Sequence, residues 1–254
     1  MAVLQVTTTY YPESDGKPMG ETDRHIQAII RHREILLQYF AGQKVYVSGN
    51  LLVYYEQGNP KKFVVPDTFV AKGLEQRERR TFKTWVERKV PDVVIETTSR
   101  KTRKKDLFEK PALYAKLGVK EYFLFDPDSE YLDPPLQGYR SSLDGFEPMF
   151  PDESGGLVSD ELGLRLNAEN GLVQFYRLET GERLLTEAEG RAVEAEGRAA
   201  EAEGRAVEAM ARAAEARARA IEARARAAAE ARAEAAEAEV AKLREELARR
   251  SVQN

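Results

Sequence analysis

Two carboxylates stand four residues apart inside an apolar, β-branched run, residues 90–98, at Asp92 and Glu96. Alternation along a strand puts both on the side of Val94. Ionisable groups inside an apolar strand are expensive for stability alone, because unpaired charge away from water is strongly disfavoured. A third acid, Asp67, follows Pro66 in the preceding apolar segment, and a basic loop follows Glu96 with Arg100, Lys101, Arg103, Lys104 and Lys105. Two acids that converge at one end of a sheet can hold a hard divalent cation such as Mg²⁺. Such an ion polarises a phosphoryl oxygen and supplies hydroxide at neutral pH, and a nearby lysine orients that water or steadies charge on phosphate. Lys101, Lys104, Lys105 and Lys110 all lie on the loop and helix that leave the strand.

The elements that must position these groups are three β-rich segments, residues 44–55, 61–71 and 90–98. The first reads as a strand pair edge or one long strand bent at Ser48-Gly49-Asn50, and the second carries Pro66 and Asp67. Consecutive strands default to an antiparallel meander, which sets Asp67 beside Glu96 and leaves Asp92 about 13 Å away along the strand. Asp92 then reads as structural, paired with the polar, basic connection 73–89, which is expected to be partly helical. A helix ending near Gly118 and the strand 121–125 complete a strand–helix–strand unit, with Tyr114, Tyr122, Phe123 and Phe125 expected in the core. Upstream, Thr22 caps a predicted helix to about Phe40. Its apolar stripe is Ile26, Ile29, Ile30, Leu37 and Phe40, with His25 and Glu34 at the margins. Those two are either boundary polarity or polar groups laid over the mouth of the site.

Residues 1–20 read as an irregular lead-in and residues 21–181 as the compact domain, closed by short strands at 136–140, 147–150, 157–166 and 172–178. Residues 182–254 change character and repeat every seven residues from Glu187, each repeat opening with Glu and six of them placing Arg four residues on. Alanine at 4,3 spacing (Ala188, Ala192, Ala195, Ala199, Ala202, Ala206) makes a narrow seam, and Gly190, Gly197 and Gly204 weaken it. A long charged helix is expected, either a homodimeric coiled coil or a solitary helix.

Zero cysteines exclude disulfides, thiolate zinc sites and a cysteine nucleophile, and two histidines, His25 and His32, almost exclude a multi-histidine metal site. No apolar run is long enough for a membrane helix, and no signal peptide opens the chain, so a cytoplasmic protein is expected. The net charge of −4 hides a gradient. Residues 61–110 hold 15 Lys and Arg against 8 Asp and Glu, concentrating positive charge around the candidate site, as phosphate attraction requires.

Pro66-Asp67 followed by Glu96 on the next strand resembles the carboxylate part of the PD-(D/E)XK nuclease superfamily. The longer string PDVVIETTSRKTRKKDLFEK…LYAKLGVKEYFLFDP resembles the Uma-two family of inferred restriction endonucleases. SDGKPMGETDRH and VYVSGNLLVYYEQGNP resemble that family too, and the likeness covers residues 10–180. It implies an α/β (α+β) fold with a restriction-endonuclease-like mixed sheet flanked by helices, and hydrolysis of DNA phosphodiesters with Mg²⁺ or Mn²⁺. By motif matching Asp67 and Glu96 are metal ligands. Thr98 stands where E-x-K places the superfamily's lysine, and the resemblance moves that role to Lys110 on the following helix. Pro111 directly after Lys110 predicts a helix that begins nearer Lys110 than Asp106. Arg100, Lys101, Arg103, Lys104 and Lys105 are the expected DNA contacts. Two other classes compete: a nucleic-acid-binding module with a degraded site, and an oligomeric scaffold organised by the tail.

Overall fold

The computed structural model describes residues 9–16 and 22–251, the side chains of 246–251 excepted. The irregular lead-in expected over 1–20 therefore lies largely outside the described residues. Contacts divide the chain into two compact units, residues 1–187 and 188–254.

In the first unit, helix α1 (Asp23–Tyr39) is capped by Thr22, whose Oγ1 accepts the His25 N–H at 3.3 Å. Its inner face departs from the expected stripe. Ile26 and Ile30 are 44% and 59% exposed, while His25, Ala28, Ile29, Arg31, His32, Ile35 and Leu36 are buried. The turned face carries Arg31 and His32 inward beside residues of later elements. Arg31 Nη2 donates to Gln174 Oε1 at 2.7 Å, and His32 lies edge-on to the rings of Phe125 and Phe175.

The segment 44–55 forms two strands in two different sheets rather than one, β1 (Val45–Ser48) and β2 (Val53–Tyr54). Gly49 makes the switch: a Cβ there would sit 2.1 Å from the carbonyl oxygen of Asp67. The segment 61–71 divides likewise into β3 (Phe63–Val64) and β4 (Thr68–Lys72), with Pro66 and Asp67 between them. Next come β5 (Phe82–Lys83), the short helix α2 (Thr84–Glu87) and β6 (Val93–Thr97). A π-helical turn, Lys105–Glu109, runs directly into α3 (Lys110–Leu117), which stops at Gly118. The helical path thus begins before Asp106, against expectation. The wide turn accommodates Pro111, whose ring would collide with the carbonyl four residues back in a regular helix. The unit continues with β7 (Glu121–Phe125), β8 (Leu136–Ser142), β9 (Gly145–Pro148), β10 (Leu157–Ser159), β11 (Leu164–Glu169) and β12 (Leu172–Arg177).

The central six-stranded sheet has the order β1-β4-β6-β7-β8-β9 and is mixed: β6 and β7 run parallel, the other pairs antiparallel. The parallel pair needs a crossover, and the π turn with α3 supplies it. The meander β1-β4-β6 is the expected one, and the mixed sheet flanked by helices matches the expected fold class. Alternation along β6 sorts the core. Val93 and Ile95 pack with α1 and the sheet β10-β11-β12, while Val94 packs with Tyr114, Tyr122 and the small sheet β3-β2-β5. Glu96 shares the Val94 face and therefore points toward α3.

The second unit is the body of one helix, α4 (Glu187–Ser251), 65 residues long. At ~1.5 Å per residue it extends on the order of 100 Å. Glu208–Arg212 and Glu215–Arg219 close as i,i+4 ion pairs at 3.5 and 3.8 Å. Val193, Val207, Met210 and Ile221 are exposed along it. Among the described residues no helix is long and apolar enough to cross a membrane.

Candidate active site

The β4–β6 ladder ends at the pair Thr68–Ile95, and beyond it the side chains take over. The Asp67 N–H donates to Glu96 Oε2 at 3.2 Å, and the Thr97 N–H donates to Asp67 Oδ2 at 2.8 Å. Each acid thus accepts an amide from the opposite strand. Pro66 and Gly49 bring this about: the Asn50 N–H donates to the Pro66 carbonyl at 2.9 Å, and Gly49 allows the backbones to approach. The register expected from a simple meander is the one observed, with Asp67 at Glu96 and Asp92 at the far end.

The helix after the basic loop completes the cluster. Lys110 Nζ lies 2.9 Å from Glu96 Oε2 and 2.7 Å from Asp106 Oδ1, and the Tyr114 hydroxyl donates to Glu96 Oε1 at 2.6 Å. Asp106 Oδ2 accepts the Thr98 hydroxyl at 3.2 Å, so the residue standing in the E-x-K position anchors the helix instead. Glu96, Asp106 and Tyr114 are buried, whereas the Asp67 and Lys110 side chains keep 15% and 19% of their exposure. On the Asp67 side, His25 Nε2 approaches Oδ2 to 3.6 Å.

Three carboxyls share one ammonium here, and their protonation follows from that imbalance. Burial pushes Glu96 up to about 8; Lys110 pulls against it, and the charges of Asp67 and Asp106 reinforce the rise. Burial works to lower Lys110, but Glu96, Asp106 and Asp67 outweigh it and hold the ammonium protonated. Asp67 feels the same burial, yet His25, Lys110 and the Thr97 amide keep it below the usual carboxylate range. The two members of the Lys110–Glu96 pair both move upward. Lys110 is held charged, and Glu96 is the acid of the cluster whose charged form burial disfavours most clearly.

Asp92 belongs to a different network. It is bound by Lys89 Nζ at 2.9 Å, Lys120 Nζ at 3.1 Å and the Lys72 N–H at 2.7 Å. Burial alone would raise it, but these donors bring it below its ordinary value. This acid is fully paired, as a structural residue should be. In the basic loop Arg100, Lys101, Arg103, Lys104 and Lys105 are exposed, and the Arg103 guanidinium lies 5.5 Å from the ring centre of Tyr131.

The structure brings Asp67, Glu96 and Lys110 together and adds Asp106 and Tyr114, which the sequence reading did not assign to a site; of the two polar groups that reading weighed for the mouth of the site, His25 lies against Asp67. Asp106, Lys110 and Tyr114 are spaced by four, a helical-face signal legible in the sequence. Among the described residues no group of three or more His, Cys, Asp and Glu converges as a ready-made metal cage. The oxygens of Asp67 and Glu96 are of the hard type that Mg²⁺ or Mn²⁺ takes when it keeps part of its water shell. Asp67 Oδ2 accepts the Thr97 N–H and faces His25, while both Glu96 oxygens accept protein donors that an ion would share or displace.

The chain belongs to the Uma2 family, described as "Putative restriction endonuclease", whose profile matches residues 15–148, more than half of the chain. A solved structure described as "a putative nuclease belonging to DUF820 from Anabaena variabilis ATCC 29413" is 17% identical, covering 61% of this chain and 83% of its own at a TM-score of 0.46. A search of curated protein sequences finds no match.

Proposed function

We propose that the chain is a divalent-metal-dependent nuclease that hydrolyses DNA phosphodiester bonds, with Asp67 and Glu96 as ion ligands and Lys110 as the site's cation. The observation that carries this is the interlocked pair of acids at the end of a sheet, with a half-buried lysine on one of them. Mg²⁺ or Mn²⁺ at the pair would polarise a phosphoryl oxygen and lower the pKa of bound water. Lys110, kept protonated by its three acidic neighbours, stabilises negative charge as it develops on phosphate. Asp106 and Tyr114 hold Lys110 and Glu96 in place from the same helix. The exposed basic loop beside the strand end draws the DNA backbone.

DNA binding without hydrolysis is the second reading, favoured by the ion pairs that already satisfy Lys110. One assay separates the two. Purified protein is incubated with supercoiled and single-stranded DNA in Mg²⁺ or Mn²⁺, beside Asp67→Ala, Glu96→Ala and the amide isosteres Asp67→Asn and Glu96→Gln. Cleavage in the parent that all four substitutions abolish supports the site. Cleavage that survives both alanine variants refutes it. Salt-sensitive binding with no metal-dependent cleavage supports the second reading.

A further inference from the structure

We propose that His25 is a positioning residue for the candidate ion ligand Asp67: from the first turn of α1 its imidazole steadies Oδ2 and so presents Oδ1 to the ion. The inference rests on the metal-dependent reading above.

Asp67 sits on a loop between β3 and β4, and the plane of its carboxyl group is set by the groups that meet its oxygens. The Thr97 N–H holds Oδ2 at 2.8 Å from within the sheet. A single donor leaves the carboxyl free to swing about its Cβ–Cγ bond; a second group on the same oxygen, carried by another element, restricts that swing. His25 Nε2 supplies it at 3.6 Å, an electrostatic contact longer than a formed hydrogen bond. The imidazole is placed rather than incidental. Its own backbone N–H is taken by the Thr22 cap, which fixes the phase of the helix start, and the residue is only 3% exposed. An imidazole at that depth is unfavourable compared with an apolar side chain unless polar neighbours use it, and one such neighbour here is a candidate ligand. Outer groups that orient a metal ligand in this way typically contribute about 10- to 100-fold in metal affinity.

The test is equilibrium Mn²⁺ binding to the full-length chain, read by electron paramagnetic resonance, with thermal melting alongside. His25→Ala is expected to keep a cooperative melt and to bind Mn²⁺ about 10- to 100-fold more weakly. His25→Gln, which restores an N–H donor, is expected to recover much of the loss. If His25→Ala loses its melting transition, His25→Leu, which fills the space without a donor, carries the comparison with His25→Gln. Mn²⁺ affinity in the folded donor-free variant equal to the parent's overturns the positioning role and leaves the metal site standing. A parent protein that binds no Mn²⁺ overturns the metal reading, and the role of His25 falls with it.

Discussion

At the scale of single residues, the site depends on one lysine among three acids, and its removal has a definite outcome. Lys110→Met is expected to abolish DNA cleavage, a loss of at least about 100-fold if its charge acts on the transition state, while Mn²⁺ binding persists. Loss of Mn²⁺ binding in that variant would instead make the lysine a structural member of the cluster. A second residue-scale prediction concerns His32. Burial, then the charge of Arg31, lowers its pKa from 6.5 to about 3, against the pull of Asp67. Its two ring nitrogens have no hydrogen-bond partner among the described residues. The unfolded chain takes up this proton near pH 6.5 and the folded chain only near 3, so the imidazole's contribution is complete above 6.5 and is lost as pH falls toward 3. His32→Leu should therefore flatten the fall in melting temperature between pH 6.5 and roughly 4.5, above the range where most carboxylates titrate. An unchanged slope would show that His32 has a different protonation behaviour.

At the scale of elements, two backbone features set the geometry. Pro111 follows a π-helical turn that lets Asp106 and Lys110 reach the same strand end. Pro111→Ala restores an N–H and allows the turn to tighten, so melting temperature should hold or rise while cleavage drops by about tenfold or more, as displaced catalytic groups do. Cleavage at the parental rate would mean that the turn is set by other contacts. Gly49→Ala should cost about 1–3 kcal/mol in denaturant unfolding, because its Cβ meets the Asp67 carbonyl backbone, which cannot swing away like a flexible side chain. These elements also mark what could be read in advance. The pairing of Asp67 with Glu96 was legible, since strand alternation and a default meander determine it. Lys110 came through family resemblance rather than spacing. The π turn was hidden, because a wide turn leaves no periodicity of its own. The rotation of α1 was hidden too: it depends on partners for Arg31 and His32 that lie more than 80 residues away in the chain, at Phe125, Gln174 and Phe175.

At the scale of the whole molecule, the two compact units differ in what holds them together. Residues 1–187 have a layered apolar core, whereas α4 relies on alanine propensity and local ion pairs. Gly190, Gly197 and Gly204 each have open space around an added Cβ. Replacing all three with alanine should stabilise the helix by about 1 kcal/mol per site. Circular dichroism at varied temperature should then show a later loss of helicity. We further propose that α4 pairs two copies of the chain. Its melting should then depend on protein concentration, and a concentration-independent melt with monomeric sedimentation would leave it a solitary helix.

The crossed acid–amide pair between β4 and β6 has one more consequence. Because the carboxylates of Asp67 and Glu96 stand in for the next rungs of the sheet, the amides of Thr97 and Asp67 have their exchange with solvent governed by side chains rather than by carbonyls. Those two amides become spectroscopic reporters of the site. In deuterated water they should exchange slowly in the parent protein, and each should speed up when the acid that covers it is replaced by alanine: Thr97 with Asp67→Ala, Asp67 with Glu96→Ala. Neighbouring amides within β6 should keep their protection. Local fraying of the sheet end would thus be visible separately from any loss of chemistry.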